Sequence, residues 1–315
     1  MPFADAIKTL INRKSLQPLA LPLVNGLLSA RRRSVQRIFL DDGLWIHQTA
    51  RGFFAYHQPY LRLDLRRFDE SARRNFLWGY EPTPGDIIMD IGAGVGEETL
   101  TLSRAVGEHG KIICVEAHPR TFRCLEKLVQ YNRLENVIPI HAAIAEPGRS
   151  TVSIENGNEY LANRIGSVGA PSVGVSRTKV GSVGVGRIGI GSGAVHVGLT
   201  VPALTIDQLC QRLNLARIHF LKMNIEGAER LAIQGMSTAL QRTNILCISC
   251  HDFLAKRNSA GDEVGAQTAE SFYRTKDLVR QFLQKSGLKV VERNAPALPP
   301  YIQDQLWAYN HSKLK

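Results

Sequence analysis

The sequence predicts an α/β fold: a seven-stranded sheet with helices on both faces, preceded by an extension of helices and a hairpin. Two patterns predict it. From residue 86 onward, short apolar runs alternate with segments of helical period, as in a parallel sheet covered on both sides. The first of those runs passes directly into a glycine-rich turn and then a helix, as in Rossmann-like sheets. The length agrees, since 315 residues, 44% of them apolar, suffice for one large core and an extension.

Residues 1–80 read as helices around a short hairpin. Leu44-Trp45-Ile46-His47 and Phe53-Phe54-Ala55-Tyr56 are strand-like, and Arg51-Gly52 suits the turn. This extension is expected to cap the substrate side of the sheet domain, residues 81–315. Strands are expected at 86–91, 111–116, 137–142, 219–225, 244–251, 288–293 and 306–310. Helices are expected at 97–106, 119–132, 206–213, 229–240 and 271–286, with Gly107 and Gly287 as C-terminal caps. At about 157–198 the order is interrupted by near-repeats, Gly166-Ser167-Val168-Gly169 returning as Gly181-Ser182-Val183-Gly184. Glycine raises the entropy cost of ordering while alternating valine favours extended chain, so this low-complexity insertion reads as a flexible loop or irregular hairpin. A tolerated expansion is preferred to a lid.

The net charge of +11 favours acidic partners such as nucleic acid, anionic lipid or phosphorylated substrates. Much of it lies early, at Arg31, Arg32, Arg33, Arg37, Arg62, Arg66, Arg67, Arg73 and Arg74, where a solvated helix face is the simpler reading. Five scattered cysteines argue against a disulfide framework and for a reducing compartment, the cytoplasm by default. The apolar stretch 16–28 carries Pro18, Pro22, Asn25 and Gly26, too short and broken to span a bilayer, though able to lie against one.

Chemistry concentrates at the turn Asp90-Ile91-Gly92-Ala93-Gly94-Val95-Gly96, followed by Glu97, Glu98 and Thr99. Glycines there let backbone approach a ligand, but the pattern is shared by several nucleotide-binding folds. Charge discriminates. A dinucleotide site would receive a pyrophosphate at the helix start, and Asp90, Glu97 and Glu98 would repel it. The same carboxylates suit the sulfonium and ammonium groups of S-adenosylmethionine, although acids at a helix start also complement its dipole. Glu116 ends the next strand 20 positions beyond Gly96, where a carboxylate can accept both ribose hydroxyls. Ala117 follows it, and Ala142-Ala143-Ile144 offers small positions against which adenine could rest.

The turn and Glu116-Ala117-His118-Pro119 resemble two motifs of the FkbM family of O-methyltransferases, and Leu221-Lys222-Met223-Asn224-Ile225-Glu226-Gly227-Ala228-Glu229 resembles that family's strand-four signature. The likeness runs over about 84–251, outside the insertion. It implies a Rossmann-like methyltransferase sheet, S-adenosylmethionine as cofactor, and a hydroxyl on a sugar, glycan or other natural product as acceptor. The assigned cofactor contacts are Asp90, Gly92, Ala93, Gly94, Gly96, Glu98, Thr99, Glu116, Ala117, Ala143 and Asn224. Two positions depart from the family. Asn224 stands where members commonly carry aspartate, and an amide cannot act as a base. Gly94 stands where asparagine is frequent.

Methyl transfer asks the protein chiefly to hold acceptor and methyl in line, with a general base to take the hydroxyl proton. Lys222, Asn224 and Glu226 alternate along one strand and project from one face, with Glu226 at the carboxyl end where α/β sheets bind ligands. His251 closes the next strand, so Glu226 or His251 is the candidate base, with Asn224 as a third catalytic candidate. Glu229 reads as a helix-start acid. Cys247 and Cys250 lack a second pair, and no metal is assigned. Three rivals stand beside this reading. A nicotinamide-dependent oxidoreductase would share the turn. A nucleic-acid methyltransferase, limited to ribose, would use the basic extension with Tyr56, Tyr60 and Trp78. A degenerate cofactor-binding module would follow if Asn224 abolished turnover.

Overall fold

The computed structural model describes residues 2–30, 34–154, 199–253, 273–293, 295 and 297–310. The insertion at 157–198, the run Arg31, Arg32 and Arg33, and residues 271–272 of the last expected helix lie outside them. The extension comprises α1 (Pro2–Asn12), α2 (Gln17–Ala30), a sheet of β1 (Val35–Asp41), β2 (Leu44–Thr49) and β3 (Gly52–Tyr56), and α3 (Leu65–Asn75). The hairpin expected from the sequence is thus the inner part of a three-stranded antiparallel sheet. β1 escaped notice because its register shifts between Val35 and Arg37, which breaks the apolar alternation that marks a half-buried strand. Its open edge is covered by α2. Asn25 both donates to the Ile38 carbonyl at 2.9 Å and accepts from the Ile38 N–H at 2.8 Å.

The main sheet has seven strands in the order β12-β13-β11-β10-β4-β5-β6, with β4 (Ile87–Ile91), β5 (Lys111–Glu116), β6 (Val137–His141), β10 (Ile218–Met223), β11 (Thr243–Ser249), β12 (Lys289–Glu292) and β13 (Gln305–Tyr309). Six point the same way, and β13, between β12 and β11, runs antiparallel to both neighbours. The chain fills the sheet outward from β4 to β6 and then returns on the other side at β10. The order therefore reverses between β4 and β10, where open α/β sheets bind ligands.

Helices α4 (Thr99–Val106), α5 (Pro119–Asn132), α6 (Ile206–Arg212), α7 (Glu229–Ala232), α8 (Ser237–Arg242), α9 (Lys276–Lys285) and α10 (Pro300–Gln303) complete the described elements. The single helix expected at 229–240 is broken by a 3-10 turn at Ile233–Gly235. Gly235 lies against Thr205, so close that an added Cβ would stand 2.6 Å from the threonine Cβ. A second small sheet was not foreseen. It joins β7 (Ala143–Ile144), β9 (Leu199–Leu204) and β8 (Thr151–Ile154), and pairs Ile154 with Leu199. The two ends of the low-complexity stretch are thereby held side by side.

Extension and sheet domain share a core. Ile38, Trp45 and Phe54 pack in one cluster with Leu100 of α4 and Leu128 of α5. Asn132 at the end of α5 clasps Phe53, donating to its carbonyl at 2.7 Å and accepting from its N–H at 2.9 Å.

Candidate active site

A cavity of about 290 Å³ opens beyond the carboxyl ends of β4 and β10, at the point of reversal. Its floor is the glycine turn. Gly92 has φ +77°, and a Cβ there would stand 2.0 Å from the Asn224 carbonyl oxygen, so only glycine lets the ends of β4 and β10 approach this closely. Gly94 has φ +60° with open space where a Cβ would lie. Asparagine tolerates that left-handed conformation better than most residues, which accounts for both residue types serving this position.

Glu116 is fixed before any ligand arrives. Its Oε2 accepts from the Gly94 N–H at 3.0 Å and its Oε1 from the His118 N–H at 2.8 Å, and burial raises its pKa. Each oxygen retains a second lone pair for a ligand hydroxyl. Ala117, His118, Ala142, Ala143, Ile144 and Ile154 form the wall beside it. Burial, with His57, Arg120 and His141 nearby, holds His118 down at about 4, so this histidine is neutral at physiological pH.

The opposite wall is charged. Lys222, 4% exposed, donates to Asp90 Oδ1 at 2.8 Å and to the Gly92 carbonyl at 3.3 Å, and pairs with Glu98 at 3.2 Å. Its ammonium also lies 4.7 Å from the centre of the Phe76 ring. Burial alone would lower the lysine's pKa, but Asp90 and Glu98 hold it well above the ordinary value. Burial raises the pKa of Glu98, against the pull of Lys222. The second Asp90 oxygen is buried and has no hydrogen-bond partner among the described residues. Glu97 joins the lining and accepts from the Tyr56 hydroxyl at 2.9 Å, linking β3 to the cavity.

At the far rim, Glu226 lines the cavity with φ +53°, a strained conformation of the kind that clusters at functional sites. His251 stands behind it, 2% exposed, its Nε2 3.6 Å from Glu226 Oε1. His251 Nδ1 donates to Glu229 Oε1 at 2.9 Å. Glu229 is wholly buried, and also accepts from the Gly227 N–H at 3.2 Å and from Thr275 Oγ1 at 3.3 Å. Burial would lower the pKa of His251, but Glu229 and then Glu226 raise it.

Of the residues singled out from the sequence, Gly92, Ala93, Gly94, Glu98, Glu116, Ala117, Ala143, Asn224 and Glu226 line this one cavity. Four do not. Asp90 is fully buried beneath Lys222, and His251 stands behind Glu226. Gly96 faces Leu125 of α5, and Thr99 is buried with its hydroxyl 3.5 Å from Cys114 Sγ, so both serve the packing of the turn. Glu229 is more than a helix-start acid, being the partner that orients His251. Asp252 accepts from the Thr275 and Lys276 N–H groups at the start of α9.

Lining residues absent from the sequence assignment include Asn75, Phe76, Glu97, His118, Ile154 and Lys222. Lys222 had a readable signal, because a lysine inside an apolar strand requires a buried carboxylate, and Asp90 is its register partner on β4. Asn75 and Phe76 reach the cavity from the extension through tertiary packing, which no local pattern records.

Residues 90–288 match the methyltransferase FkbM domain. The chain belongs to the FkbM methyltransferase family. It is therefore an S-adenosylmethionine-dependent methyltransferase on the seven-stranded sheet described above. This FkbM-family chain is similar to an FkbM methyltransferase from Methylobacillus flagellatus KT, at 14% identity over 79% of this chain and 51% of that one, with TM-score 0.44. It is similar to Aeropyrum pernix fibrillarin with natively bound S-adenosyl-L-methionine, at 13% identity over 88% and 99% of the two chains, with TM-score 0.39. A 72-residue segment is 29% identical to the catalytic subunit TRM61 of a tRNA (adenine(58)-N(1))-methyltransferase from Yarrowia lipolytica. That segment covers 23% of this chain and 18% of the yeast protein.

The cavity fits the cofactor. Among the described residues, Glu97, Glu98, Glu116 and Glu226 line it against a single ammonium, Lys222, with His118 neutral. The balance is anionic, suiting a sulfonium and an ammonium and opposing a pyrophosphate. Among the described residues no helix is long and apolar enough to cross a membrane.

Proposed function

We propose that this enzyme methylates a hydroxyl oxygen on a sugar, glycan or other natural-product acceptor, with Glu226 as the proton-accepting group. The observation that carries this reading is the line Glu229, His251, Glu226, which runs from a fully buried carboxylate to the cavity lining. It resembles the arrangement in which a buried acid orients a histidine that serves the reacting group.

In this reading Glu116 accepts the ribose hydroxyls, the wall at Ala117 and Ala143 supports the adenine, and the Gly92 to Gly94 backbone with Glu98 and Asn224 faces the methionine end. When bound, S-adenosylmethionine supplies an electrophilic methyl group on a positively charged sulfur. The chain's own residues do the rest. The turn and β10 fix the approach of the acceptor, which accounts for most of the rate in an in-line displacement. Glu226 takes the proton from the acceptor oxygen, and the imidazole of His251 beside it stabilises or shares that proton. Asn224, a neutral donor and acceptor, positions groups without competing for the proton.

The test has two arms. Purified protein with methyl-labelled cofactor and fractionated cell extract is expected to transfer label to a glycan or small-molecule hydroxyl as a base-stable ether. Label confined to RNA would overturn this acceptor class. Glu226→Gln is expected to lower kcat by roughly a hundredfold while cofactor affinity measured by calorimetry stays within a few-fold. An unchanged kcat would remove Glu226 as the base.

A further inference from the structure

Helix α2 presents an outer face without the charged side chains that a water-exposed helix normally carries, Ser29 being its one exposed polar side chain. Its 14 residues carry no charge at all. Ala20, Val24 and Leu28 face the protein, and Asn25 fixes the rotation of the helix through its paired hydrogen bonds to Ile38. The opposite face is therefore held outward. There Leu19 and Leu23 are 74% and 72% exposed and Leu27 is 43% exposed, one helical turn apart, each preceded by Pro18, Pro22 or Gly26. A surface helix in water normally turns charged residues outward, so a leucine stripe of this kind marks a contact surface.

Charge identifies what covers it. From residue 6 to residue 40 the sequence has no aspartate or glutamate against seven lysines and arginines. Arg13 and Lys14 are exposed just ahead of α2, and Arg31, Arg32 and Arg33 follow its last residue in sequence. At 1.5 Å per residue, 14 residues span roughly 21 Å, short of the ~30 Å hydrocarbon layer. A helix of that length with leucines on one side, exposed Arg13 and Lys14 ahead of it and a basic sequence around it is suited to lie in the interface, leucines among acyl chains and cations among headgroups. We propose that the outer face of α2 docks on an anionic membrane surface, which would bring the enzyme to acceptors held at a bilayer.

The experiment uses the full chain, floated with vesicles of phosphatidylcholine alone or with about 30 mol % phosphatidylglycerol. Association with the anionic vesicles is expected to be at least about tenfold stronger than with the neutral ones and to weaken with added salt. The triple variant Leu19→Gln, Leu23→Gln, Leu27→Gln is expected to lose at least about tenfold of it. These side chains are exposed, so the variant should fold, and an unchanged affinity for S-adenosylmethionine by calorimetry checks that. Failure of the wild type to float with anionic vesicles, or flotation that the triple variant leaves intact, overturns the proposal. A dimer at micromolar concentration that the variant abolishes, with no vesicle association, also overturns it and assigns the face to a second copy of the chain.

Discussion

Replacing Lys222 by Met tests how the charged wall of the cavity is held together. Methionine keeps the length of the stem and removes only the ammonium, so little packing is lost. What remains is Asp90, with a side chain 1% exposed, and Glu98 at 21%, left without the cation between them. Breaking a buried pair in this way costs about 3–5 kcal/mol, because the surviving charge is desolvated without compensation. The cost is assigned mainly to Asp90, since Glu98 can hydrate, and the lost contact with Phe76 adds about 0.5–1 kcal/mol. At about 2–3 °C per kcal/mol for a chain of this size, Tm should fall by roughly 6–15 °C.

The pH dependence has a defined sign. The raised pKa of Lys222 means that its contribution is complete below about pH 10, the ordinary lysine value, and is lost only as pH rises through the higher folded value. The wild type should therefore be indifferent to pH on this account from about pH 6 to 9. In the variant the stranded carboxylates are relieved by protonation, so its deficit should shrink as pH falls from about 8 towards 5. Denaturation with urea at several pH values measures both effects, and Asp90→Asn combined with Lys222→Met should recover most of the loss. A deficit below about 1 kcal/mol, or one that the double variant leaves unrelieved, would refute the view that Lys222 exists to neutralise these acids.

Three further outcomes follow from the geometry. Glu116→Gln should weaken S-adenosylmethionine binding by about 10- to 100-fold in calorimetry, the worth of hydrogen bonds to a charged acceptor. Glu229→Gln removes the largest of the carboxylate influences that raise the pKa of His251, so the acid limb of the pH–rate profile should move to lower pH while cofactor affinity is unchanged. The same pair stabilises the fold fully below the histidine's ordinary value near 6.5 and loses that effect as pH rises through the raised folded value, so the variant's stability deficit should be largest in acid. Asn224→Asp should raise kcat if the amide limits turnover, and should leave it unchanged or lower, by up to about tenfold, if the site is tuned to a neutral group there.

The parts legible in the sequence were those set by local period and local turn chemistry. β5 and α5 lie where apolar period and Pro119 placed them, at Lys111–Glu116 and Pro119–Asn132. Gly92, Gly94 and Glu116 meet at one cavity because a strand, a turn and an acid at fixed spacing leave few geometric alternatives. Features decided by contacts between distant segments were not legible. β10 stops at Met223, its last ladder bond running from the Asn224 N–H to the Ile91 carbonyl, and the helix at 229–240 breaks where Gly235 meets Thr205. β1 hid behind a register shift, and the small sheet joins segments more than forty residues apart. The role of Glu229 was obscured for a different reason, since an acid opening a helix already has a sufficient local explanation in the dipole.

The clasp between Asn132 and Phe53 and the bond from Tyr56 to Glu97 make the first part of the chain a partial owner of the cavity. A graft that exchanged residues 1–80 for those of a relative would not simply swap an accessory. It would replace Asn75 and Phe76 in the lining and the hydroxyl that holds Glu97, so under the proposed function acceptor preference and cofactor grip would be inherited together.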